Sequence, residues 1–324
     1  TFSFYSLIYL SIFHKMNPFR ITYLSALTFF IFTFTACSSN NGDNGSQELS
    51  ENTNRNVITS GMATEITRLE FPRVYAASND TIIVHYAPEP GSSKKDVNYE
   101  LAWDKKKKAN LFTCYEMYAQ NVQHTPGVNR YSPTNWEDQY PQDPDLLPKY
   151  RWSIDPFRGS GYDHGHLCPS ADRLYSSTAN YQTFFLSNMS AQLHAFNAGI
   201  WEVMENQLRN WIADNSSTTD TLFVCKGGTI SDGDYTLGNN NLVVPKHFFS
   251  AVLMKNKDGY KAIGFWFENA NNTTTSQDLK PYIVNIQTLQ EKTGLDFFCN
   301  LPDKTEKEVE DLDVDNVKRA WGFR

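Results

Sequence analysis

Three features are scarce in this 324-residue chain, and each scarcity excludes something. Positive charge is outweighed, with 29 Lys and Arg against 36 Asp and Glu and a formal net charge of −7, so the chain cannot grip a polyanion by bulk charge. No two cysteines form a CxxC pair, which argues against a structural zinc site. The apolar run ITYLSALTFFIFTFTA, residues 21–36, falls short of the ~20 residues that a membrane-spanning helix needs. Any anionic ligand must therefore be met locally, by a few placed arginines or by a metal ion.

Aromatic residues are plentiful: 22 Phe, 17 Tyr and 7 Trp, within a hydrophobic share of 40%. Such a chain is globular and long enough to bury a sizeable core.

From Met16 the N-terminus follows an export grammar, with a polar start containing Arg20, the apolar run, and then Cys37 followed by SSNNGDNGS. This pattern predicts a leader over 1–36 of the bacterial lipoprotein type, with Cys37 as the lipidated residue and the protein exported to the cell envelope. An uncleaved membrane helix is the alternative, disfavoured by its length. Lys15 and Arg20 are the leader's only charged residues, so its removal leaves −9. Residues 37–68, rich in Ser, Asn, Thr and Gly, read as a flexible tether, with order beginning near Leu69 and one domain over 69–324. In an exported chain Cys114, Cys168, Cys225 and Cys299 are expected to form one or two disulfides, with the pairing open.

Residues 81–87, 97–104, 110–119, 221–228, 241–256 and 260–269 carry strand patterns separated by turns, and helices are predicted over 195–213 and 305–320. The fold class is α+β, a mainly antiparallel sheet with packed helices. Lys105–Lys108 read as the solvated end of a hairpin, without a catalytic role. Residues 120–160 are loop-like, rich in proline, and hold the isolated arginines Arg130, Arg151 and Arg158.

Two of the seven histidines stand in GYDHGHLCPSADR, residues 161–173. On the helix predicted downstream, Trp201, Met204, Leu208 and Trp211 fall within about 40° of Asn197, and Glu205 about 80° away. An amide and a carboxylate on an apolar stripe call for polar partners or a metal. Eight residues span about 12 Å of helix, too far for both to bind one ion.

The stretch Asp163-His164-Gly165-His166 resembles the Asp-Arg-Gly-His signature of the DNA/RNA non-specific endonucleases. The resemblance continues in register through Asn188, Gln192 and the series Asn197, Trp201, Glu205, and upstream through Arg130, over residues 97–300. It implies a ββα-metal core and hydrolysis of DNA and RNA phosphodiesters, with His166 as general base and Asn197 as the direct protein ligand of one Mg²⁺, Mn²⁺ being an alternative ion. It further implies that Arg130 neutralises phosphate charge, that Asn188 and Glu205 order the site, Glu205 through metal-bound waters, and that Asp163, His164 and Arg158 contact substrate. Homodimers occur in that family. His164 stands where the family carries arginine, which implies weaker phosphate binding, a lower preferred pH, or replacement by Arg151, Arg158 or Arg173. A catalytically silent relative serving as a surface binding lipoprotein is the rival reading. His194 is expected at a cap or on the surface, and His85 and His247 as packed or surface residues.

Overall fold

The computed structural model describes residues 51–75, 80–135, 139–214, 219–235, 241–271 and 278–323. At its centre lies a seven-stranded sheet of order β1-β2-β3-β6-β9-β10-β11. The strands are Asp80–Pro88 (β1), Lys95–Asp104 (β2), Ala109–Met117 (β3), Thr219–Gly228 (β6), His247–Asn256 (β9), Gly259–Glu268 (β10) and Ile283–Val284 (β11). Every neighbouring pair is antiparallel, in agreement with the expected α+β class.

Period-two alternation sorts the side chains onto two faces. Tyr115, Met117, Leu222, Val224, Val252 and Met254 point to one side, and Phe112, Cys114, Phe223, Cys225, Ala251 and Leu253 to the other. Because both faces are covered, β9 is apolar at almost every position from Phe248 to Met254. On the first face packs Glu202–Asp214 (α3), through Met204, Leu208 and Trp211, together with Val314–Ala320 (α6). On the second pack Ile286–Thr293 (α4) and Asp303–Glu310 (α5), through Ile286, Leu289 and Val309. Each such side chain contributes roughly 1.5–3 kcal/mol on burial.

Three expected elements are broken where backbone chemistry requires it. The strand pattern over 241–256 splits into Val243–Val244 (β8) and β9, interrupted by Pro245, which offers no N–H to a ladder. The C-terminal helix divides into α5 and α6, the second capped by the Asp313 carboxylate on the N–H of Asp315. The helix predicted over 195–213 is not continuous either. After Ser177–Gln182 (α1), a short turn His194–Phe196 (α2) leads into a wide turn Asn197–Trp201, where Gly199 takes φ −116°, ψ −118°, before α3 begins. Asn197 and Glu205 therefore do not lie along one helix axis.

The expected disulfides are not formed: Cys114, Cys168, Cys225 and Cys299 are buried free thiols, Cys168 packed on the first face of the sheet and Cys114 opposite Cys225 across β3 and β6 on the second. Cys37 and the leader lie outside the described residues. No helix among those residues is long and apolar enough to cross a membrane.

Residues 51–68, assigned by composition to the tether, are instead fastened to the C-terminal elements. Thr53 donates through its N–H and hydroxyl to Asp303, at 2.8 and 2.9 Å, and Asn52 donates to the Leu301 carbonyl at 2.6 Å. Asn56 is buried, donates to the carbonyls of Ile66 and Pro72, and accepts the N–H of Val74. Composition missed this because side-chain amides can satisfy backbone groups without any apolar period. Asn56→Ala leaves the Pro72 carbonyl and the Val74 N–H without this partner, the Ile66 carbonyl keeping Asn300, and is expected to lower unfolding stability by about 1–3 kcal/mol in urea titration, whereas a free tether would show no change.

Candidate active site

Asp163–His166 (β4) and Met189–Gln192 (β5) form a separate antiparallel pair, with Asp163 opposite Gln192 and His166 opposite Met189. Four residues without branched apolar side chains gave no strand signal in DHGH. The pairing needs Gly165, since a Cβ there would stand 2.2–2.6 Å from the side chain of Gln192, itself fully buried. Asn188 anchors the end of the hairpin from inside the core. Its Oδ1 accepts the Cys168 N–H at 2.9 Å, and its Nδ2 donates to the carbonyls of Cys168 and Thr183 at 2.9 and 2.8 Å. It orders the site without lining it.

An open cleft of about 400 Å³ lies beside the hairpin, and Arg130, Arg158, Asp163, His164, His166 and Asn197 all line it. The His166 ring meets Phe184 edge-on at 5.0 Å, and its Nε2 is buried without a hydrogen-bond partner. Burial, then the positive charge of Arg130, then His164, press its pKa from the ordinary 6.5 to about 3. A backbone hydrogen bond at His164 opposes that shift without cancelling it, so the imidazole is neutral at neutral pH with Nε2 unengaged. Arg130 lies over the outer face of Phe184, 4.7 Å from the ring centre.

His164 is held differently. Its ring stacks on Tyr140 at 3.6 Å with planes 1° apart, and on Phe157 at 4.6 Å. Its Nε2 lies 2.9 and 3.1 Å from the two carboxylate oxygens of Asp155. Of the three arginines expected as substitutes for the missing one, only Arg158 reaches the cleft. Arg151 is spent on the carbonyls of Leu146 and Pro144, and the buried Arg173 on those of Asn98, Glu116 and Asp172. Geometry that ties an arginine to backbone oxygens is invisible in a sequence.

Asn197 donates through Nδ2 to Asp163 Oδ2 at 2.9 Å, and the same oxygen lies 2.9 Å from Nδ1 of the exposed His194. No described residue donates to Asn197 Oδ1. A carboxylate and a carboxamide oxygen facing an open cleft suit a hard, well-hydrated divalent cation such as Mg²⁺ or Mn²⁺. Two other clusters could hold a cation, His85/Asp143/Asp145 and Asp296/Glu306/Glu310, but neither lines the cleft. In the first, His85 sits between the two aspartates at 3.0 and 3.3 Å and pins the proline-rich loop to β1. His247 stacks on Trp266.

Glu205, expected to act on metal-bound waters, does not line the cleft. It pairs with the fully buried Lys226 at 3.2 Å, whose ammonium also lies over the rings of Trp201 and Tyr115. Burial raises the Glu205 pKa, and Lys226 opposes that rise. Sequence reasoning missed Lys226, although a lysine in register with Leu222 and Val224 in TLFVCKGG is a legible anomaly. It also missed Tyr140, Phe157 and Asp155, which stand in an irregular loop without a periodic signal.

Two outcomes follow from these environments. Lys226→Met leaves Glu205 buried without its counter-charge and is expected to cost about 3–5 kcal/mol by denaturant titration, with a smaller loss for Lys226→Arg. For His166, the unfolded chain takes up a proton near 6.5 while the folded chain refuses it until about 3. Its contribution to stability is therefore complete above 6.5 and is lost as pH falls toward 3. The unfolding midpoint of His166→Gln should accordingly decline less steeply between about pH 6 and 4 than that of the parent protein.

Comparison with known proteins places this arrangement. A sequence profile described as DNA/RNA non-specific endonuclease matches residues 78–304. Nuclease C1 of Cunninghamella echinulata var. echinulata is 28% identical over 224 residues, covering 66% of this chain and 86% of that protein. Bovine mitochondrial endonuclease G is 24% identical over 224 residues, covering 66% and 71%. The fold is shared with a chain in the crystal structure of the EndoG/EndoGI complex, with a TM-score of 0.58, 21% identity, and coverage of 76% of this chain and 96% of that one. The protein belongs to the DNA/RNA non-specific endonuclease family, hydrolases that act on the phosphodiester bonds of nucleic acids.

Proposed function

We propose that the protein cleaves DNA and RNA with a divalent ion, Mg²⁺ or Mn²⁺, at Asn197, and with Nε2 of His166 taking the proton from the attacking water. The observation that carries this reading is the neutral, unpartnered Nε2 in the same cleft as Asn197. A base must be deprotonated and unengaged, and His164, stacked and tied to Asp155, is less suited to that role. When bound, the ion neutralises charge on the scissile phosphate and on the leaving oxygen.

The chain's own residues do the rest. Arg130 and Arg158 hold the phosphate by charge-assisted hydrogen bonds, with Arg158 standing in for the arginine missing at His164. Arg130 also helps keep the neighbouring imidazole free of a proton. Asp163 orients the Asn197 amide, while Glu205, paired with Lys226 away from the cleft, takes no part in the chemistry. Contacts confined to phosphate carry no base information, so cleavage is indifferent to sequence. For location, the export grammar around Cys37 supports a lipid-anchored envelope protein.

Plasmid DNA and RNA incubated with the protein should fragment in Mg²⁺ and remain intact in EDTA. His166→Ala should lose about 10²–10⁴-fold in rate, and His164→Ala should keep most of it. Fragmentation that persists in EDTA, or a His166→Ala protein of undiminished rate, overturns the reading. Cys37→Ser should shift the protein from the detergent phase to the aqueous phase on partitioning.

A further inference from the structure

The turn between β2 and β3, read from sequence as solvated, is not featureless. Lys106, Lys107 and Lys108 line a wide groove together with Trp152 and Tyr235. Two of these lysines are ordered by carbonyl oxygens: Lys108 Nζ donates to Arg151 O at 2.6 Å, and Lys107 Nζ to Ile230 O. Cations also lie over aromatic rings here, Lys108 over Trp152 at 5.7 Å, and Lys105 and Lys149 over Tyr150 at 5.7 and 4.8 Å. None of these five lysines has a carboxylate partner among the described residues. The one acid in the turn, Asp104, accepts the backbone N–H groups of Lys106 and Lys107 at 2.8 Å. In a chain of net charge −7 this concentration of unpaired cations stands apart.

The groove is joined to the cleft. Lys108, Trp152 and Phe157 line one small pocket, and Phe157 also lines the cleft, stacked on His164. The loop that carries Trp152 and Phe157 thus ties the lysine turn to the cleft wall.

We propose that the Lys105–Lys108 turn, with Lys149, Trp152 and Tyr235, is an exosite that binds the sugar-phosphate backbone of the nucleic-acid substrate away from the scissile bond. The proposal rests on the nuclease reading above and deepens it. The ammonium groups neutralise flanking phosphates, and the exposed ring of Tyr235 offers a stacking face to a frayed or single-stranded base. Length, not sequence, is what such a site recognises. A site outside the cleft adds affinity only for a substrate long enough to occupy both, so its effect grows with substrate length. An anionic membrane surface is the competing partner for a lysine patch, but a groove that sets Trp152 and the exposed Tyr235 among the lysines suits stacked bases and their phosphates better than a plane of headgroups.

The test compares the parent protein with Lys106→Gln/Lys107→Gln/Lys108→Gln, and with Lys106→Glu alone, which touches an exposed side chain and keeps both carbonyl contacts. Equilibrium binding of a 30-base-pair duplex is measured in EDTA over a salt series, alongside steady-state cleavage of that duplex and of a tetranucleotide in Mg²⁺, and sedimentation with phosphatidylserine vesicles. For the triple variant, the slope of log K against log salt should flatten by about 2–3, and KM for the duplex should rise roughly tenfold. Kinetics on the tetranucleotide should not change. Lys106→Glu should shift binding in the same direction by a smaller factor. Unchanged salt slope and duplex KM in both variants overturn the exosite while leaving the nuclease reading intact, as does a loss confined to vesicle binding. A parent protein that cleaves neither substrate overturns the nuclease reading itself.

Discussion

Everything in the cleft depends on one half-buried imidazole that resists taking up a proton. His166 is inserted between Phe184 and the hairpin floor, close to the Arg130 guanidinium, and both desolvation and the neighbouring cation penalise its charged form. The hairpin that delivers it closes only because residue 165 lacks a side chain, leaving space for Gln192. Asn188 then fixes the strand's exit with three hydrogen bonds. The family signature is therefore a statement about packing as much as chemistry: the glycine makes room, and the histidine is placed where water cannot easily stabilise its cation.

The change from the family arginine to His164 has a local explanation in the loop that faces it. Tyr140 and Phe157 sandwich the ring, and Asp155 takes its Nε2. These contacts build the imidazole into the cleft wall, while Arg158, on the same loop as Phe157, brings a permanent cation to the cleft. The two groups are not equivalent in geometry, since a stacked ring cannot offer the forked donors of a guanidinium.

Much of this was legible in the sequence where a period or a motif carried it. The strands at 81–87, 97–104, 110–119, 221–228 and 260–269 lie within β1, β2, β3, β6 and β10 apart from terminal residues, because alternation on a sheet buried on both sides leaves a dense apolar trace. His166 and Asn197, singled out by resemblance, do share a cleft. What escaped was set by contacts between distant segments. The kink at Gly199 breaks a helix whose wheel was otherwise regular. The partners of Arg173 are carbonyl oxygens. The Glu205–Lys226 pair joins a helix to a strand 21 residues away. The amides of residues 52–56 bond to a segment more than 240 residues later.

That last feature bears on how the fold is closed. Residues 51–53 lie among elements that cover one side of the sheet, with Asn52 and Thr53 bound to Leu301 and Asp303, while the hairpin and its cleft are built on the other side. Loosening these residues would disturb the seating of α5 before it disturbed the hairpin, because Asp303, which accepts from Thr53, begins that helix. Closure of the fold by these two distant segments is thus physically separate from the assembly of the cleft.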